Sequence, residues 1–123
     1  YKGPSVINVY TTCQPEHGVA DDMAMHQAKL AADSRAFPVF IYDPTKGERF
    51  SERLSLQGNP AKNKDWYVNP KTGEATDFIS FAKTEGRFAK HFNKEGNPDP
   101  IIQKAQEDRL ANWRLLQELA GVI

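Results

Sequence analysis

Sulfur chemistry has almost nothing to work with here, since one cysteine, Cys13, stands among 123 residues. A single cysteine closes no disulfide within the chain and supplies no thiolate zinc cluster. That usage fits a reducing compartment, and the expected localisation is cytoplasmic. Long apolar runs are missing as well. No stretch approaches the roughly 18 residues that mark a membrane-crossing helix, and the opening residues lack the basic-then-apolar pattern of a signal peptide. Nor does one charge dominate, because 16 Lys and Arg face 16 Asp and Glu. The balance gives no support for nucleic acid or an anionic membrane as partner. Gly-x-Gly-x-x-Gly, the Walker glycine–lysine run and paired cysteines are absent too, which removes the commonest nucleotide and redox signatures.

Strands are scarce in turn, and the chain is organised around its first third. Ser5 to Thr11 is nearly continuous in apolar residues and begins after Gly3-Pro4, as a buried parallel strand does. Cys13-Gln14-Pro15-Glu16-His17-Gly18 interrupts it. Asp21 to Ala36 predicts a helix with Asp21 or Asp22 as cap and a small-residue face of Ala24, Ala28, Ala31 and Ala32. Phe37 to Tyr42 then reads as a second strand. The expected fold class is α/β: a partial open parallel sheet with one βαβ unit, strands at about 5–11 and 37–42. Two strands leave sheet edges bare, a liability proteins cover. The chain is therefore expected to be a piece of a larger α/β protein, with residues 1–44 as the βαβ unit. Whether the two strands pair directly or flank a missing one stays open.

Residues 45–76 are polar and rich in turns, with Gly47, Gly58-Asn59-Pro60, Asn69-Pro70 and Gly73. Leu54, Leu56, Trp66, Tyr67 and Val68 are expected to pin this irregular segment down. A short hairpin is predicted between Trp66–Val68 and Ala75–Asp77. Residues 77–123 predict two helices. The first runs from about Asp77 to Phe92 on Phe78, Phe81, Ala82, Phe88, Ala89 and Phe92, with Gly86 either tolerated or marking a close approach. The second runs from Asp99 or Pro100 to Ala120, with Gly121 placed to end it. Its apolar face of Ile102, Ala105, Trp113, Leu116 and Ala120 is widened by Ile101, Leu110, Leu115 and Leu119, as for a helix with more than one neighbour.

Open α/β sheets keep ligand chemistry in the loops after their strands, so functional candidates begin at Thr11 to Gly18. Cys13 and His17 form a thiolate–imidazole pair only if the side chains meet. Cysteine is also an ordinary core residue. A site joining Cys13 to His17, His26 and His91 matches no familiar metal spacing. The aromatic residues are read as core rather than base-stacking platforms. No pair among the 16 acidic residues stands out for glycoside hydrolysis.

Gly3-Pro4-Ser5-Val6-Ile7, Tyr10-Thr11-Thr12-Cys13 and Glu16-His17-Gly18 do carry a resemblance. With Ala28-Lys29-Leu30-Ala31-Ala32-Asp33-Ser34 and Phe37-Pro38-Val39-Phe40-Ile41-Tyr42-Asp43-Pro44, the chain resembles the pyruvate:ferredoxin (or flavodoxin) oxidoreductases. The likeness is to the last part of their thiamine-diphosphate-binding domain. It implies oxidative decarboxylation of a 2-oxo acid with coenzyme A in the whole enzyme, using thiamine diphosphate with magnesium. Iron–sulfur clusters pass electrons to ferredoxin or flavodoxin. The Gly-Asp-Gly and Asn-Thr-Gly-Gly-Gln segments that the diphosphate site needs are absent, as are cluster-binding cysteine motifs. The resemblance thus implies an inactive piece that binds none of these cofactors alone and whose partner is the remainder of the enzyme or another subunit. A second copy stays open as a partner. Thr12, Cys13 and His17 are implied to lie near the active-site edge, with no chemical step assigned. The rival expectation is a non-catalytic adaptor that docks a partner through the apolar last helix. A small hydrolase built on Cys13 and His17 ranks third.

Overall fold

A computed structural model describes all residues, Tyr1 to Ile123. Helices dominate it, joined by two small antiparallel sheets rather than one parallel sheet. The helix α1, Gln14–His17, and a 3-10 turn at Asp21–Met23 precede α2, Ala24–Asp33. Strand β1, Ile41–Tyr42, pairs antiparallel with β2, Leu54–Ser55, across the short helix α3, Phe50–Arg53. Strands β3, Tyr67–Val68, and β4, Ala75–Thr76, form the predicted hairpin. Helix α4, Phe78–Lys83, a 3-10 helix at Gly86–His91 and the long α5, Pro100–Leu119, complete the chain.

The expected parallel sheet is corrected by residues 4–12. They run without turn or bend, yet make no backbone–backbone hydrogen bond. Val6 and Ile7 are almost wholly exposed. The apolar run is real, but a strand requires a neighbour's backbone, and none of the 123 residues lies alongside to provide one. The second expected strand shrinks to Ile41–Tyr42, because Val39 is held by a side chain instead. Asn59 accepts from Val39 N at 2.9 Å and donates to Val39 O at 2.6 Å. The helix expected over 77–92 breaks after Lys83. Gly86 N donates to Gly18 O at 3.1 Å, so the chain there is held by another segment instead of by its own preceding turn.

Asp99 caps α5 by accepting from Ile102 N at 3.0 Å, and Pro100 occupies its first turn. Gly121, at φ 64°, ends it as predicted. Helix α5 buries Ile102 and Trp113 but leaves Ile101, Leu115 and Leu119 largely exposed. The interior is small and as polar as it is apolar. Ala31, Leu54, Leu56, Phe81, Ala82, Ile102 and Trp113 share it with Gln27, Asp33, Ser34, Arg35, Asn59, Glu85 and Gln117.

Such an interior is stable only if each polar group is answered. Arg35 shows how. Its guanidinium lies 4.0 Å from the Trp113 ring and donates to the carbonyls of Asp65, Pro60 and Ala61. Trp113 Nε1 donates to Lys64 O at 2.8 Å, and Gln117 Nε2 donates to the carbonyls of Lys62 and Lys64. The loop after β2 is thereby sewn to α2 and α5. Burial pulls the Arg35 guanidinium down to about 10, with Asp33 working the other way. These contacts also hold Arg35 at φ 61°, a left-handed conformation unfavourable for a side chain of its size.

A candidate site around a buried carboxylate

Cys13 is extended and precedes α1, whose first turn contains Pro15 and whose end is set by Gly18 at φ 63°. The resulting single turn brings Thr12, Cys13 and His17 close together. Their contacts differ from a nucleophile–base pair. The Nδ1 atom of His17 accepts, at a long 3.4 Å, from the backbone N–H of Cys13 and not from its thiol. The thiol itself is exposed. Thr12 Oγ1 donates to Ala24 O at 3.4 Å, tying the loop to the start of α2.

Beneath this turn lies a residue the sequence reading passed over. Glu85 sits between α4 and the following 3-10 helix with its side chain fully buried. Tyr10 Oη and Gln27 Nε2 both donate to its Oε1 at 3.2 Å, and Arg87 Nε donates to Oε2 at 2.5 Å. His17 Nδ1 stands 3.8 Å from Oε1. Gln27, itself buried, gives its amide also to Thr84 Oγ1 at 2.7 Å. One carboxylate thus gathers donors from the opening run, α2 and the turn after α4. A buried charge without such donors would cost several kcal/mol.

Gly18 and Gly86 make that convergence sterically feasible. A Cβ on Gly18 would fall 2.8 Å from Gly86 Cα, and one on Gly86 would fall 3.2 Å from Gly18 Cα. Gly86 therefore marks a close approach, one of the two readings its sequence position allowed. Burial raises the Tyr10 phenol above its ordinary value, the Glu85 charge adds to the rise, and the Thr12 hydroxyl opposes it. The site can hold the Tyr10–Gly18 loop in one conformation and keep the phenol protonated. No group of three or more His, Cys, Asp or Glu is placed to hold a metal ion. His26 and His91 lie apart from His17, on α2 and at the end of the second 3-10 helix.

A signal for Glu85 exists in the pattern. It falls four residues after Phe81 and seven after Phe78, on the apolar face of the expected helix. A carboxylate there must be answered or exposed. Gln27, three residues after Ala24 and four before Ala31, breaks the small-residue face in the same way.

No family model matches the chain, and no solved structure matches it. Among curated proteins, the pyruvate-flavodoxin oxidoreductase of Rhodospirillum rubrum is 30% identical over 125 aligned positions. The alignment takes in 99% of this chain, which spans only 9% of that relative's length. The match supports the pyruvate oxidoreductase family without placing the chain in a particular domain of it. No helix is long and apolar enough to cross a membrane.

Proposed function

We propose that these 123 residues are one piece of a longer pyruvate:flavodoxin or pyruvate:ferredoxin oxidoreductase, and that the piece alone catalyses nothing. One observation carries the reading: the likeness to the Rhodospirillum rubrum protein extends along 99% of the chain, well beyond the motifs of residues 3–44. In the whole enzyme the reaction is oxidative decarboxylation of pyruvate with coenzyme A, and electrons leave to flavodoxin or ferredoxin. The piece belongs at the end of the thiamine-diphosphate-binding domain, with Thr12, Cys13 and His17 near its active-site edge.

The donor set of this chain does not fit the cofactors. One exposed cysteine holds no iron–sulfur cluster. No cluster of carboxylates or imidazoles is placed for the magnesium of a diphosphate site. What these residues contribute is position. Glu85 fixes Tyr10 directly and stands beside His17, so the loop carrying Thr12 and Cys13 is presented in one shape, an advantage wherever a site must be preorganised. Pyruvate- and coenzyme A-dependent reduction of flavodoxin tests the reading. The longer native protein is expected to show it and the pure 123-residue chain to lack it. Turnover by the pure chain, or none by the longer protein supplied with cofactors, contradicts the reading.

The adaptor alternative draws on one observation, the exposed Ile101, Leu115 and Leu119 of α5. A native polypeptide of only 13.9 kDa would favour it.

A further inference from the structure

A groove of about 880 Å³ separates the opening run from the segment that leads into β1. Pro4 to Asn8 line one wall, and Ala36 to Phe37 with Phe40 to Pro44 line the other. The two walls meet where the Tyr10 ring lies 5.5 Å from that of Phe37. Away from that contact Tyr42 packs on Phe50, 5.2 Å away, but Val6 and Ile7 are 93% and 87% exposed and Phe40 and Ile41 are exposed as well.

The backbones on both walls are open as well. Residues 4–12 make no backbone–backbone hydrogen bond. On the other wall the groups of Val39 are taken by Asn59, Ile41 faces Ser55 in the β1–β2 pair, and Asp43 N donates to Arg53 O. Backbone groups alternate in direction along an extended chain, so those of Phe40 and Tyr42 turn away from β2 toward the groove. Pro4 at one wall and Pro38 and Pro44 at the other lack N–H groups and bound the stretch that can pair. Arg109 of α5 lines the groove and makes no ion pair within the chain.

We infer that this groove seats an extended, apolar segment from outside these 123 residues, about five residues long, which pairs with both walls and sets a carboxylate against Arg109. A strand added between two bare edges satisfies backbone groups on both sides and covers the apolar walls at once. A second copy fits poorly, since a two-fold contact would bring one concave groove against another. The inference rests on the reading that the chain is part of a longer protein, whose Rhodospirillum rubrum relative has 91% of its length (100 − 9) outside the aligned region.

The test uses the longer native protein, with two readouts. Amide hydrogen exchange at Phe40, Tyr42 and one of the neighbours Val6 and Ile7, whose N–H groups point opposite ways, should be slowed at least about 100-fold relative to an unstructured chain, as for ladder hydrogens. A photo-crosslinker at position 40 (Phe40→p-benzoylphenylalanine) should capture an apolar segment outside residues 1–123. Fast exchange at these amides overturns the inference. So does a cross-link confined to residues 1–123, or one to the same groove of a second copy. An intact mass of 13.9 kDa for the native protein would instead sink the underlying reading, and the inference with it. Loss of pyruvate-dependent turnover with exchange and cross-link as expected would sink only the assigned activity.

Discussion

Glu85→Ala is the most informative single change. The structure gives the lost carboxylate three donors, and their fates differ. Arg87, about a third exposed, turns to water, so its ion pair contributes about 1 kcal/mol after screening. Tyr10 is only partly buried, and its phenol likewise finds water for a loss of about 1 kcal/mol. Gln27 is buried, keeps Thr84 at 2.7 Å and is left with one unanswered N–H, for about 1–2 kcal/mol. The expected total is about 3–4 kcal/mol, read as a shift of the urea midpoint at unchanged slope. Glu85→Gln keeps an oxygen for Tyr10 and Gln27, but its NH2 replaces Oε2 and cannot accept from Arg87, so that ion pair and its hydrogen bond are lost, for about 1–2 kcal/mol. Exchange at the His17 and Gly18 amides, bonded to Cys13 O and Gln14 O, should rise in the alanine variant and stay near native in the glutamine variant. If the two variants are equally unstable, or alanine costs under about 1 kcal/mol, burial of the charge has cancelled its pairing. The network would then not be what holds the loop.

Trp113 separates packing from hydrogen bonding. Trp113→Ala should cost about 3–5 kcal/mol, but Trp113→Phe only about 1–2, because Lys64 O keeps the Gln117 amide at 3.1 Å. Equal costs in denaturant would contradict that sharing. Gly18→Ala should destabilise by about 2–4 kcal/mol through its φ of 63° and its contact with the Gly86 backbone. Gly73→Ala, at φ 72° with open space around it, should cost only about 1 kcal/mol. The Asp99 carboxyl is held below its usual 3.8 by the His91 ring and then by the Ile102 N–H. Its contribution is therefore present above pH 3.8 and lost as pH falls through the lowered value. Asp99→Asn, which keeps a capping oxygen, should flatten that limb of the stability profile below pH 4; an unchanged acid limb would refute the assignment.

Local signals were legible in this sequence, and pairings were not. The cap at Asp99, the proline at position 100 and the stop at Gly121 define α5 from neighbours within four residues. The Tyr67–Thr76 hairpin is equally local, with its strands joined by a turn containing Gly73. The parallel sheet failed because Val6 to Tyr10 carries a strand's composition without a strand's neighbour, and only backbone partners turn one into the other. The helix over 77–92 broke because Gly86 answers to Gly18, 68 positions away. Thr12, Cys13 and His17 lie close together because one short turn joins them. Glu85, Gln27 and Arg35 were missed because a buried polar residue is defined by distant partners, although Glu85 and Gln27 each interrupt an apolar face visible in the pattern. The uncovered half of α5 agrees with the breadth of its apolar face.

The central claim is that the chain is a piece of a longer oxidoreductase. Intact mass spectrometry of the native polypeptide that contains these residues tests it most directly. The account predicts a mass several times 13.9 kDa, in a protein that reduces flavodoxin when given pyruvate and coenzyme A. A folded native polypeptide of 13.9 kDa would contradict it.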